Sequence, residues 1–192
     1  MIREIVKYPD QFLRKKCQAI SHITSDLIKL ADDMLETMYK FKGIGLAAPQ
    51  VGELTQLVIV DTVWPYKAGG TQKYIQTDLE KSYKNPLVLF NPKVTKLEGK
   101  TAFNEGCLSV PGYFEDVPRS NYVEVKGIDK NEKEIVIKTD GLLSICLQHE
   151  IDHLEGIMFI DRLSLIKSTR LRAKIKKYGY DEIPNPEGHD VL

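Results

Sequence analysis

An α+β fold, with a mostly antiparallel sheet packed around one central helix and a further helix toward each end of the chain, follows from three observations. Residues 26–41 place Leu27, Leu30, Ala31, Met34, Met38 and Phe41 on one face at the period of an amphipathic helix. Short β-type runs follow at 57–61, 87–90, 122–128 and 134–138. An apolar helical run, Leu142-Leu143-Ser144-Ile145-Cys146-Leu147, then leads into Gln148-His149-Glu150-Ile151-Asp152-His153. Helix, strands, helix, short strand and helix in that order read as α+β rather than as alternating β and α units.

Each element has a local reason. The first helix begins after Ser25, and Met34 and Met38 belong to its core face. The run Gly43-Ile44-Gly45-Leu46-Ala47-Ala48-Pro49-Gln50-Val51-Gly52 makes a tight turn into the strand at 57–61. It lacks the lysine of a phosphate-binding loop and the third glycine of a dinucleotide fingerprint, which disfavours nucleotide binding. Residues 62–85, with Trp64-Pro65 and Gly69-Gly70, read as an insertion loop. The next strand stops before Asn91-Pro92, and the strands at 122–128 and 134–138 pair as a hairpin across Asp129-Lys130-Asn131-Glu132. Beyond the central helix come a short strand at 157–160, a basic helix over 165–178 and an irregular tail over 179–192.

Length and charge narrow the classes. A chain of 192 residues is long enough for one substantial core, and all of it is expected to form a single catalytic domain. Its 27 basic and 27 acidic side chains cancel, so no global charge argues for a nucleic-acid partner. No stretch has the apolar length of a secretory signal or a membrane span, so a soluble, cytoplasmic protein is expected.

The segment His149-Glu150-Ile151-Asp152-His153 carries the chemistry. Two histidines four apart on a helix point the same way and can grip one metal ion, and the carboxylate between them can move a proton. A lone histidine on an apolar helix is usually a hydrogen-bonded core residue; two at this spacing, with the glutamate, favour a site. A catalytic zinc generally has three protein ligands and one open position. The third histidine of a metzincin would stand at 159, which is Phe159, and residues 167–174 offer no acid of the kind thermolysin-like enzymes use. Cysteine remains: Cys17, Cys107 and Cys146, an odd and widely spaced set that does not suit a disulfide framework. Cys107 lies in Glu105-Gly106-Cys107-Leu108-Ser109-Val110-Pro111-Gly112, where small and turn-forming neighbours suggest an exposed thiol.

The glycine-rich run, Glu105-Gly106-Cys107-Leu108-Ser109 and the two-histidine helix together resemble, in order, the three motifs of the peptide deformylases, over roughly residues 1 to 170. The resemblance implies a metal-dependent hydrolase that removes the formyl group from the N-terminal formyl-methionine of new polypeptides, releasing formate. It implies Cys107, His149 and His153 as ligands of one divalent ion, iron(II) in the cell with zinc, nickel or cobalt as substitutes. Glu150 would then be the general base and acid for a metal-bound hydroxide attacking the formyl carbonyl. The same resemblance assigns the Gln50 side chain and the Leu108 amide as donors to the carbonyl oxygen. It builds the methionine pocket from Ile44, Leu142, Ile145 and Cys146, and lets the main chain around Gly45 and Gly106 pair with the peptide. It also pairs Glu105 with Arg119, and it suggests that the basic helix, with Lys167, Arg170, Arg172, Lys174, Lys176 and Lys177, contacts ribosomal RNA.

Two other classes share part of the pattern. A zinc peptidase would keep the helix and Glu150 but use a ligand other than Cys107. A structural zinc module would close four ligands from Cys107, Cys146, His149 and His153, yet would have no use for Glu150 or Gln50.

Overall fold

The computed structural model describes residues 1–64 and 75–180. These residues form five α-helices and seven strands: α1 (Ser25–Lys40), β1 (Gly45–Ala47), β2 (Leu57–Val60), α2 (Asp78–Lys81), β3 (Leu87–Glu98), β4 (Thr101–Glu105), β5 (Glu115–Arg119), β6 (Tyr122–Ile128), β7 (Glu134–Thr139), α3 (Gly141–Leu154), α4 (Phe159–Arg162) and α5 (Leu165–Tyr178). Five strands form one sheet in the order β1-β2-β3-β6-β7, and β4 pairs with β5 in a second. All of these pairings are antiparallel.

The larger sheet lies between two helices. Side chains alternate across a strand, so β2 sends Val58 and Val60 to a core shared with Leu143, Cys146 and Leu147 of α3. Its other face sends Leu57 and Ile59 to Leu30, Met34 and Met38 of α1. Burial on both faces explains why β2 is continuously apolar rather than alternating. All of α3 except Gly141 and Ile151 is buried. A third cluster joins Cys107, Val110 and Tyr113 to Phe159 and Ile160 of α4 and to Leu171 and Ile175 of α5.

Several expectations shift. The cap of α1 is Thr24, whose hydroxyl accepts from the Leu27 amide, so the helix starts at Ser25. Strand β3 does not stop at Asn91-Pro92 but runs on to Glu98, with a register shift between Phe90 and Lys93. Asn91 takes φ 49°, and its side chain both accepts from the Ile20 amide and donates to the Ile20 carbonyl, so the irregularity tolerates Pro92. Residues 157–160 are not a strand: Phe159 and Ile160 begin helix α4, started by the Asp161 carboxylate accepting from the Met158 amide. The hairpin turn is as expected, with the Asp129 carboxylate accepting from the Asn131 and Lys133 amides.

The described parts of the 62–85 stretch are tied down at both ends. The Trp64 indole donates to the Gly43 carbonyl. The short helix α2 leans on the start of α3, where Glu80 accepts from the Leu143 amide and the Thr77 hydroxyl donates to Asp140. Asp140 itself makes no side-chain cap for α3, so Glu80 supplies that service from a distant part of the chain. Residues 65–74, including Gly69-Gly70, lie outside the described residues, as do 181–192 of the expected tail.

Candidate metal centre and active site

Helix α3 carries two imidazoles one turn apart, and the segment after β4 brings a thiol to meet them. His149 Nε2 and His153 Nε2 are 3.2 Å apart, and Cys107 Sγ is 3.3 Å from His153 Nε2. The three donor atoms all lie within 4.8 Å of one another. Cys107 is buried rather than exposed, at 1% accessibility. Small neighbours let the segment turn inward instead of outward: the Val110 amide donates back to the Cys107 carbonyl, and Val110 and Tyr113 close over the loop. A side chain at Gly106 would collide with the Phe114 ring.

The donor set suits a divalent cation. His149 Nδ1 faces Glu105 Oε2 at 2.8 Å and donates to it, which leaves the lone pair of Nε2 pointing at His153 and Cys107. Burial holds His153 well below the usual histidine range, so its ring is a neutral donor. Burial and then the Glu150 charge push the Cys107 thiol up. A bound cation reverses that preference, because it stabilises the thiolate. Two imidazole nitrogens and one sulfur suit zinc, iron, nickel or cobalt rather than magnesium or calcium. Cys146 does not join them: its Sγ faces the Ile44 carbonyl at 3.7 Å, and it is absent from the converging group.

Around the trio stand the other residues singled out in the sequence. Glu150 is fully buried, and among the described residues neither carboxylate oxygen has a hydrogen-bond partner. Burial first, and the Glu105 charge second, push its carboxyl well above the ordinary range. It lies against β1, where a Cβ added at Gly45 would overlap the carboxylate and sit 2.7 Å from Cys146 Sγ. The Gln50 side-chain Oε1 accepts from the Ala47 amide at 2.7 Å, which turns its NH2 toward the thiol, 3.4 Å from Cys107 Sγ. Leu108 follows Cys107 directly, and among the described residues its amide donates to no backbone group. Ile44, Leu142, Ile145 and Cys146 share one buried apolar cluster beside Glu150. Strand β1, which contains Gly45, has a strand partner on one side only among the described residues.

A second layer fixes the first. Arg119 grips both oxygens of Glu105, at 2.7 and 2.9 Å, with both side chains buried. Burial would raise the Glu105 carboxyl, but Arg119 and His149 outweigh it and hold it below the usual range. Arg119 also donates to Asp152 at 2.6 Å, and Asp152 receives a two-pronged contact from Arg162. Phe159, in the position where another metalloprotein class would keep a histidine, lies beside the His149 ring with centroids 6.3 Å apart. Sequence reasoning missed Asp152, Arg162 and Phe159. The signal for Asp152 was available, since it stands three residues after His149 and therefore on a neighbouring part of the same helical surface.

The family model described as polypeptide deformylase matches residues 2–169. A peptide deformylase from Thermodesulfovibrio yellowstonii is 47% identical over 175 residues, covering 91% of this chain and 97% of that one. One from Tolumonas auensis is 41% identical over 179 residues, covering 93% and 97%. Among solved structures, a peptide deformylase from Legionella pneumophila superposes with TM-score 0.78 and 38% identity over 93% of this chain and 95% of that chain. The peptide deformylase from Thermus thermophilus gives 0.76 and 34% over 92% and 95%.

Proposed function

The chain belongs to the polypeptide deformylase family, hydrolases that remove the N-formyl group, and from that premise we propose how its own residues carry the reaction. Cys107, His149 and His153 would hold one divalent ion, iron(II) in the cytoplasm, with zinc, nickel or cobalt as substitutes. When bound, the ion supplies Lewis acidity, polarising a carbonyl and making a water more acidic. Glu150 takes the proton of the attacking water and returns it to the amine nitrogen as the formyl C–N bond breaks, so that water is consumed and formate and a free N-terminus are released. The Gln50 NH2 and the Leu108 amide donate to the carbonyl oxygen as its charge grows, each worth about a hundredfold to a thousandfold in rate. The methionine side chain enters the apolar cluster of Ile44, Leu142, Ile145 and Cys146. The peptide lies along the free edge of β1 at Gly45 and against Gly106.

The observation that carries this reading is the fully buried Glu150 carboxyl, without a hydrogen-bond partner among the described residues, beside three converging metal donors. A closed structural site has no use for it. The test is formate release from formyl-Met-Ala by anaerobically purified protein, with metal analysis of the same sample. Formate at one metal per chain is expected, acetyl-Met-Ala should react very slowly, and free methionine from unformylated Met-Ala would sink the assignment.

We further propose that α5 meets ribosomal RNA where new chains emerge. Arg170, Lys174, Lys176 and Lys177 are exposed and form no ion pair among the described residues, whereas Lys167 pairs with Glu115 and Arg172 with Asp161. Replacing the four unpaired cations by alanine should weaken ribosome co-sedimentation and flatten its salt dependence. Equal binding by both proteins would leave α5 a structural element only.

A further inference from the structure

Helix α4 touches the metal-binding helix twice. The Phe159 ring lies near-parallel and offset beside the His149 ring, and three residues later Arg162 reaches Asp152 with two prongs, Nε to Oδ2 at 2.9 Å and Nη2 to Oδ1 at 2.5 Å. Asp152 Oδ2 also accepts from Arg119 Nη1 at 2.6 Å. The remaining Arg119 donors fork onto Glu105, whose Oε2 is the acceptor for His149 Nδ1. An unbroken set of charge-assisted hydrogen bonds therefore runs from a side chain 44% exposed on α4 to a ring 1% exposed.

The two ends of this set lie in different surroundings. Arg162, Asp152, Arg119 and Gln148 border a cavity of about 440 Å³, together with Val94 and Leu97 of β3. Without Arg162, Asp152 would keep a single contact to Arg119 beside a space wide enough for water. Arg119 could then re-aim, and Glu105, which it shares with His149, would no longer be held by a fixed fork.

We propose that Arg162 is a positioning residue of the metal centre, setting the orientation of His149 through Asp152, Arg119 and Glu105. This rests on the reading that Cys107, His149 and His153 hold a divalent ion. The experiment compares wild type, Arg162→Met, Arg162→Lys and, as a control, Lys16→Met, which removes an exposed pair to Glu155 at the end of α3 that has no link to this set. Each protein is loaded with zinc to measure its loss to a chelator, and with cobalt(II) to record its absorption bands. Partners that touch a metal ligand directly are worth about tenfold to a hundredfold in affinity. Arg162 acts further out, so zinc loss should be about threefold to tenfold faster in Arg162→Met, with shifted cobalt bands. Arg162→Lys keeps the charge but not the fork and should fall between, while Lys16→Met should match wild type.

Thermal unfolding of the metal-free proteins separates positioning from general stability. A lowered midpoint in Arg162→Met with unchanged zinc loss and unchanged bands overturns the proposal. If Arg162→Met does not fold, wild-type zinc loss and bands in Arg162→Lys overturn it. Failure of wild type to take up any metal would instead refute the metal centre on which it stands.

Discussion

Glu150 sits against Gly45 and, among the described residues, has no donor to satisfy its carboxylate, an expensive arrangement in a buried site unless a reaction uses it. Glu150→Gln preserves size but cannot accept a proton. Metal content is expected to stay near one per chain while turnover falls by about a hundredfold or more, measured as formate release. Turnover close to wild type would remove Glu150 as the base. The two nearby cysteines should behave differently. Cys107→Ala removes a converging donor and is expected to lose both metal and activity. Cys146 faces the Ile44 carbonyl and stands outside the converging donors, so Cys146→Ala should keep the metal and alter substrate affinity, read by metal analysis and KM. At this scale the sequence was informative because helical spacing alone places His149 and His153 together. It was uninformative about Arg162, whose contact with Asp152 depends on how the chain folds back after α3.

At the scale of elements, α4 shows what local pattern cannot reveal. Met158, Phe159 and Ile160 are apolar and buried, which reads as a strand, but Asp161 starts a helix by accepting from the Met158 amide. Asp161 also pairs with Arg14 from the N-terminal segment and Arg172 from α5, joining three parts of the chain. Burial would raise its carboxyl, yet the Arg14 contact, the Met158 amide and Arg172 hold it below the usual range. A carboxyl with a depressed folded-state pKa lends stability that is present above its unfolded value of about 3.9 and is lost as pH falls through the folded value. Asp161→Asn is therefore expected to lower stability by ~1 kcal/mol at neutral pH, with the gap from wild type closing below about pH 4, followed by denaturant unfolding at several pH values. A constant gap across that range would assign the loss to packing instead. Strands β1, β4 and β5 escaped the sequence reading for a related reason. β1 is three residues long, and β5 contains Pro118 and three charged residues, so only pairing with a neighbour makes them strands.

Considered as a whole, the molecule ties its C-terminal helix to the loop that carries a metal donor. Leu171 and Ile175 enter the cluster that contains Cys107, the Tyr113 hydroxyl donates to the Gly179 carbonyl, and the Tyr180 hydroxyl donates to the Tyr8 carbonyl. Cutting the chain after Ser164 would expose that cluster and remove two buried aliphatic side chains, at about 3–6 kcal/mol by transfer alone. Such a truncation is expected to lower the thermal midpoint strongly, measured by calorimetry, so lost ribosome binding in it would say nothing about charge. An unchanged midpoint would show that α5 is peripheral. This coupling was not legible in the alternation of basic and apolar residues along α5, which is equally compatible with a solvated helix.

The open side of β1 has a consequence for the breadth of the enzyme's task. Hydrogen bonds along a strand edge use amide and carbonyl groups that every polypeptide shares, so a substrate chain bound there, as proposed, would be recognised with little regard to its later side chains. Under that proposal, discrimination would concentrate on the formyl group and the first residue, next to Glu150 and the converging metal donors. A single catalyst built this way can be a generalist, able to process thousands of unrelated beginnings while leaving the interior of each one alone.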